Sequence, residues 1–545
     1  MVAIERNRQE PVCSSYPFAS SGYPCSRRNG GKEIAIPQQS GRQIVIVGSG
    51  FSGLCLGIKL KLAGIHDFTI LEKADRLGGT WRENTYPGAA CDVPSISYCF
   101  SFEQKADWSR LWSPHDEILA YMEHCADKYG VTPHIHFDTA LDSAHFDAES
   151  GQWLIRTSKR GVRQDEIRAD ILVSGVGQLN QPVIPDIPGL DSFQGVSFHS
   201  AQWKHDYDLT GKRVGVIGNA ASAIQFIPEI AKQIGKLFIF QRSANWMVPK
   251  GDRDYTEAEK RRFSRFPWLA RIQRWWTWSQ YELMFPVFRQ NRRSAAAMTK
   301  TSLDDMKGHI HDPALQKALT PDYPIGGKRI LFADDYYPAL TRENVELVTS
   351  RIERVTTDGV VTRDGESRRV DALIFATGFD STSFLTPMKI EGLQGRSLRD
   401  DWKDEPVAYM GMTVTGFPNF FMMYGPNTNL GHNSIIFMIE CQANYIAAVI
   451  RKIFDGRIGT IDLRADVMKA YNERIQRELA SSVWATTDRS WYKNEAGRIT
   501  NNWSGTTIRY WWMTRRPDLS VYDQVPLRAL DRTAVTAKGH VAIAG

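Results

Sequence analysis

Ile44-Val45-Ile46-Val47, followed at once by Gly48-Ser49-Gly50-Phe51-Ser52-Gly53, decides the fold. A short apolar run predicts a buried strand, and Gly-x-Gly-x-x-Gly at its end predicts a tight turn into a helix. The first glycine permits the turn, the second removes the side chain that would bar a pyrophosphate, and the third lets the helix close on its strand. Helix-end amides then face the phosphates. Phe68-Thr69-Ile70-Leu71 predicts a second strand ending in Glu72, with Lys73 beside it. A carboxylate about 20 residues past the glycines can accept both ribose hydroxyls. Glycine-rich turns are common in proteins, so the dinucleotide reading rests on strand, turn, helix, second strand and acid occurring together.

Working outward, the chain continues Gly78-Gly79-Thr80-Trp81, Tyr86-Pro87-Gly88, Cys91-Asp92-Val93-Pro94 and Tyr98. This stretch resembles the class B flavoprotein monooxygenases, and the Baeyer-Villiger monooxygenases in particular. The resemblance implies that the nucleotide is FAD. It also implies that Gly79, Thr80, Trp81, Asp92 and Tyr98 lie along the flavin.

At 545 residues the chain exceeds what one hydrophobic core normally holds, so two or more domains are expected. Apolar content of 42% and a formal charge of +6 are ordinary for a soluble globular protein of this length. No basic block with interleaved aromatics marks a nucleic-acid reader. Seven cysteines, none arranged as Cys-x-x-Cys, argue against a disulfide framework, a redox disulfide and a bound metal. A reducing cytoplasm is the expected compartment. Residues 1–40 lack apolar periodicity and a signal-peptide core, and read as a mobile extension. The uncharged stretch from Pro406 to Asn433 is broken by prolines and glycines, so no membrane span is expected.

Ser113-Pro114 predicts the start of a helix reaching Gly130. Trp153-Leu154-Ile155 and Ile171-Leu172-Val173 read as strands, the second of which closes a first unit near residue 180. Beyond the prolines at 182, 185 and 188 comes Phe193-Gln194-Gly195-Val196-Ser197-Phe198-His199-Ser200-Ala201-Gln202-Trp203. Its spacing is similar to the Phe-x-Gly-x-x-x-His-x-x-x-Trp fingerprint of Baeyer-Villiger monooxygenases. Lys204 departs from the Pro or Asp that the family prefers at its edge. The resemblance makes Phe193, Gly195, His199 and Trp203 parts of a hinge between domains, although a lone histidine in a linker is usually a surface residue.

A second nucleotide unit follows: strand Arg213-Val214-Gly215-Val216-Ile217, turn Gly218-Asn219-Ala220-Ala221-Ser222-Ala223, and a helix through Ile230. The turn is degenerate, since the methyl of Ala220 stands where a glycine would face the pyrophosphate. The next strand, Leu237-Phe238-Ile239-Phe240, ends in Gln241-Arg242-Ser243. Where an NAD site needs an acid, this one offers a guanidinium and a hydroxyl, which suit the ribose phosphate of NADP. NADPH is the expected second cofactor.

Residues 252–323 are rich in Arg and Trp and have no strand signal, so a helical insertion is expected. Its aromatics are expected to pack on a core, with a membrane surface or a substrate channel as alternatives. Lys328-Arg329 precedes the strand-like Ile330-Leu331-Phe332. The family resemblance puts Lys328 near the NADP phosphate, makes Arg329 the catalytic arginine with Asp92 as its partner, and lays Trp491 over the nicotinamide. It also implies that reduced flavin and dioxygen give a flavin peroxide, whose anionic form a fixed cation would favour. Val370 to Asp380 is expected to return the chain to the flavin domain. His432 reads as structural.

The expected architecture is therefore α/β with two dinucleotide-binding, Rossmann-like domains, the FAD domain being interrupted by an NADP domain with a helical insertion. The expected bounds are 1–40 for the extension, 41–180 and 371–525 for the FAD domain, 181–370 for the NADP domain, and 526–545 for a tail. Gly48, Gly50, Phe51, Ser52, Gly53, Glu72 and Lys73 are assigned to FAD; Gly218, Ala220, Ala221, Ser222, Arg242, Ser243 and Lys328 to NADPH. The expected reaction uses O2 to insert one oxygen beside a ketone carbonyl, giving an ester or lactone. Oxygenation of amines or sulfides is the alternative within enzymology, and a nucleotide-binding sensor is the alternative outside it.

Overall fold

Two five-stranded sheets, each wholly parallel, carry the two nucleotide units. The computed structural model describes residues 41–487 and 490–530. The expected N-terminal extension lies outside the described residues. In the first sheet the order is Phe420–Met422, Ile171–Ser174, Ile44–Val47, Phe68–Leu71, Ile135–His136. In the second it is Val345–Val348, Lys236–Phe240, Arg213–Ile217, Ala372–Phe375, Val196–His199. Strands Ile44–Val47, Ile171–Ser174 and Ala372–Phe375 are buried along their whole length, as parallel strands covered on both faces must be. Each such aliphatic side chain contributes about 1.5–3 kcal/mol on burial. In both sheets the chain leaves the central strand to one side and later returns on the other. The carboxyl end of the central strand is then the switch point where doubly wound sheets bind ligands.

Helix Phe51–Leu62 packs under the first sheet against the long helix Ile435–Asp455. The helix expected after Ser113-Pro114 is His115–Lys128. Antiparallel strands Thr139–Asp147 and Gln152–Lys159 flank the first sheet, and helices between Glu257 and Leu319 make the insertion. Among the described residues no helix is long and apolar enough to cross a membrane.

Three expectations need correction. The strand Ala372–Phe375, expected to begin the return to the flavin domain, pairs with Arg213–Ile217 and Val196–His199 inside the second sheet. A central apolar strand serves either sheet equally well by sequence; only pairing decides between them. Residues 526–530, expected to belong to a tail, are part of the fold. Tyr522–Pro526 pairs with Ile458–Leu463, and Leu530 reaches the backbone near Gly151 and Gly459. Residues 531–545 lie outside the described residues. His199, expected in a hinge, ends the edge strand Val196–His199 of the second sheet and is fully buried, unlike the usual lone histidine of a linker. Lastly, the insertion's aromatics do not all pack on a core. Trp278 stacks on Phe437, but Trp268 and Trp276 stand 56% and 61% exposed.

Candidate active site

The two nucleotide turns are built alike and open onto one cleft. Gly48 (φ +94°) would place a Cβ 2.9 Å from the Gly175 carbonyl oxygen, and Gly218 (φ +105°) one 2.4 Å from that of Ala376. In each unit the left-handed glycine thus lies against the residue just past the return strand, where L side chains are barred twice over. A Cβ on Gly53 would stand 1.9 Å from the Gly48 carbonyl oxygen, so the third glycine is required by packing. Gly50 differs. Its nearest protein atom would be 3.9 Å away, so the protein leaves that space to a ligand.

The second residue of each turn bonds to the residue just past the second strand. Ser49 donates its amide (2.9 Å) and hydroxyl (2.7 Å) to Glu72. Asn219 donates its side-chain amide to Gln241 (2.7 Å) and to the Ser243 carbonyl (3.1 Å). Arg82 forms a 3.1 Å ion pair with Glu72, orienting the carboxylate. Gln225, on the helix of the second unit, accepts from the Tyr86 hydroxyl (2.9 Å) and donates to the Ala90 carbonyl (3.0 Å). These bonds hold the Tyr86-Pro87-Gly88 loop against the second unit.

The cleft between the turns measures about 1180 Å³. That exceeds the roughly 300–1,000 Å³ of a single small-ligand pocket. Gly48, Gly50, Phe51, Ser52, Glu72, Lys73, Gly79, Thr80, Trp81, Asp92 and Tyr98 line one part. Gly218, Ala220, Ala221, Ser222, Arg242, Ser243, Lys328, Arg329 and Trp491 line the remainder. Gly53 lies behind the turn and not in the wall, as do Phe193, Gly195, His199 and Trp203. Trp203 instead packs on Phe198 and Phe226, while His199 accepts a bond from the Ala201 amide (3.1 Å). Burial lowers the His199 pKa below its ordinary value, which keeps the ring neutral near pH 7.

Phe51, Trp81 and Tyr98 form an edge-on aromatic group in the wall, with centroids 5.4 and 5.3 Å from Tyr98. This apolar aromatic wall beside a backbone turn with ligand-sized space fits an isoalloxazine and its pyrophosphate. Across the cleft, strand Leu331–Phe332 pairs with Met247–Val248, just past Arg242-Ser243. That pairing sets Lys328 3.0 Å from the Ser243 hydroxyl. Burial, then the adjacent Arg242 charge, lowers the Lys328 pKa below its ordinary 10.5. Two cations and a hydroxyl facing the same space suit a phosphate dianion.

Arg329, the next residue, contacts the carboxylate of Asp92. Its Nε donates to Oδ2 at 2.9 Å, and Nη2 donates to the same oxygen. About a third of each side chain reaches the cleft. Burial works against the Arg329 charge, Asp92 outweighs it, and the guanidinium pKa lies above its ordinary value. His432 is buried between Phe285 and Phe288, 3.5 Å from Glu282, in a structural position.

The sequence reading missed Arg82, Gln225 and Tyr424, the last of which lines the cleft and bonds through its hydroxyl to Asn429 at 2.6 Å. Arg82 carries a signal in hindsight, being one residue past the Gly79-Thr80-Trp81 group. Gln225 carries none, because its partners Tyr86 and Ala90 are distant in sequence, and Tyr424 carries none, because nothing local marks it as facing the cleft.

Fold and site together define a two-cofactor flavoprotein of the monooxygenase class. The family model for flavin-binding monooxygenase-like proteins matches residues 41–269. A Baeyer-Villiger monooxygenase of Streptomyces coelicolor is 42% identical over 88% of this chain and 92% of its own. One of Pseudomonas aeruginosa is 41% identical over 90% and 93%. A steroid monooxygenase structure bound to NADP superposes with a TM-score of 0.78 at 31% identity, covering 89% of this chain and 99% of its own. The chain belongs to the Baeyer-Villiger monooxygenase family: it is an FAD- and NADPH-dependent enzyme of Baeyer-Villiger oxidation.

Proposed function

We propose that the enzyme inserts oxygen beside the carbonyl of a small-molecule ketone, with Arg329 as the catalytic residue and Asp92 as the residue that positions it. FAD, when bound, supplies hydride acceptance from NADPH and activation of dioxygen. The chain's own residues bind, orient and exclude water. Gly48, Gly50, Ser52 and the start of helix Phe51–Leu62 hold the pyrophosphate of FAD, and Glu72, oriented by Arg82, takes the ribose hydroxyls. Arg242, Ser243 and Lys328 take the extra phosphate of NADPH. Trp491 closes over the nicotinamide, its carbonyl already fixed by bonds from Ser381 (3.0 Å) and Asn501 (2.8 Å).

The observation that carries this reading is the Arg329–Asp92 pair in the wall where the two nucleotide sites meet. Asp92 engages Nε and Nη2; Nη1 has no partner among the described residues. It can therefore meet an oxyanion developing in the cleft, where a fixed charge acts with little screening. Phe193, Gly195, His199 and Trp203 serve as the edge about which the second unit moves, a reading supported by the pairing of strand Val196–His199 with Ala372–Phe375 and by the contact of His199 with Phe379 just beyond it. Five buried cysteines that are free thiols support a reducing cytoplasm as the compartment.

The test is stopped-flow spectroscopy of the purified holoenzyme, reduced with NADPH and mixed with oxygenated buffer and a panel of ketones and sulfides. Flavin reoxidation accelerated by a ketone, with matching ester, is expected. Reoxidation indifferent to ketone, with stoichiometric hydrogen peroxide, would remove Arg329 and Asp92 from these roles.

A further inference from the structure

Helix Pro267–Glu282 faces the wrong way for a helix that packs on its own core. Trp268, Ile272, Trp275 and Trp276, continued by Leu283, recur at the spacing of one helical face. That face is turned outward: these residues are 56%, 57%, 38%, 61% and 78% exposed. The inward face carries Ala270, Arg274 and Thr277, all buried, with Arg274 donating to the Ile96 carbonyl at 2.9 Å. Helix Thr507–Thr514 touches it through Thr507, which accepts from Trp278 Nε1 at 3.2 Å, and adds exposed Ile508 and Trp512. A contiguous apolar face of this kind marks a site that something else covers.

The charge around it says what. Residues 260–293 hold nine basic side chains and one acid, Glu282, against a formal +6 for all 545 residues. The acid is turned inward, bonded to Thr507 and close to His432. Arg261, Arg262 and Arg265 at one end, and Arg292 and Arg293 at the other, are exposed and have no carboxylate partner among the described residues. A second copy of the chain would bring the same patch against itself and set these arginines against each other. An anionic surface is complementary.

We propose that this face lies in the interface of an anionic phospholipid bilayer, without crossing it. The indole rings and Ile272 sit at the boundary between headgroups and acyl chains, where amphipathic rings are favoured, and the arginines meet lipid phosphates. Docking is independent of the oxidation chemistry.

The test is co-sedimentation of the FAD-loaded enzyme with phosphatidylcholine vesicles containing or lacking phosphatidylglycerol. Binding to the anionic vesicles is expected, weakened about tenfold or more when phosphatidylglycerol is omitted or salt is raised to about 0.5 M. The I272S/W276S variant is expected to bind at least about tenfold more weakly while retaining bound flavin and NADPH oxidation, because both side chains are exposed. The R262Q/R265Q variant is expected to lose the preference for anionic lipid. Failure of the parent enzyme to sediment with anionic vesicles, or equal binding by I272S/W276S, overturns the proposal. A dimer in sedimentation velocity that I272S/W276S abolishes, without vesicle binding, assigns the face to a second copy.

Discussion

The two nucleotide units share a frame and differ in what the frame is tightened around. Each has a central strand, a left-handed glycine against the end of the return strand, and a bond from the turn to the residue past the second strand. In the first unit that bond ends on a carboxylate, in the second on a neutral amide. The first turn uses three glycines and begins its helix at Phe51; the second keeps one and begins its regular helix only at Ala223. The difference teaches that the phosphate-turn glycines serve two masters. Gly48 and Gly218 answer to the protein's own backbone and are present in both units. The position held by Gly50 and Ala220 answers to the ligand and is free to vary with the closeness of binding required.

The largest effect that would sharpen this contrast is at the third glycine. Gly53→Ala would drive a methyl into the Gly48 carbonyl, so the purified protein is expected to lose its yellow colour, measured as the ratio of flavin absorbance to protein. Ala223→Gly, at the equivalent place, is expected to leave flavin content unchanged. Equal loss in both would erase the distinction between the units.

Next comes the residue where the units meet. Arg329→Ala is expected to leave flavin reduction by NADPH within a few-fold of normal. Ester formation should fall by about a hundredfold or more, the scale of losing a preorganised oxyanion partner. Product analysis alongside NADPH consumption separates the two. Undiminished ester would free Arg329 from the mechanism.

A smaller effect tests the second unit alone. Arg242→Ala is expected to raise KM for NADPH about tenfold to a hundredfold, with little change for NADH, since one charge-assisted contact to phosphate is lost. Equal effects on both coenzymes would place Arg242 elsewhere.

The smallest is a pH dependence. Only protonated Lys328 attracts phosphate, and its pKa in the free enzyme lies below the ordinary 10.5. As pH rises, the charge is lost earlier than for an exposed lysine, so KM for NADPH is expected to climb a few-fold on the alkaline side. Lys328→Arg should flatten that climb, because a guanidinium stays charged. A climb that persists unchanged in the arginine variant would point to another group.

Much of the first unit was legible because its determinants are local. Strand, turn, helix and Glu72 follow one another within the span of a single β-α-β unit, and their periodicities and glycines carry physical meaning at short range. The second unit was legible in its strand and in Arg242-Ser243, less so in its bounds. Ala372–Phe375 reads as a buried strand from sequence, yet which sheet it joins depends on neighbours far along the chain. His199 looked like linker for the same reason: an edge strand of four residues has too little pattern to separate it from an extended loop.

By itself, the sequence determined the α/β class, the number of nucleotide turns and the chemistry of the groups around them. Those follow from residue type and spacing over a few turns of backbone. Tertiary structure alone decided that Gln225 ties the loop at Tyr86 to the second unit and that Arg82 orients Glu72, whereas the Asp92–Arg329 pair was implied by the family resemblance and by no local spacing. It also decided that the tryptophan face of helix Pro267–Glu282 points outward. Helical periodicity defines a stripe but not its direction, and here the buried hydrogen bond of Arg274 to the loop at Ile96 takes the inner side and leaves the tryptophans to the surface.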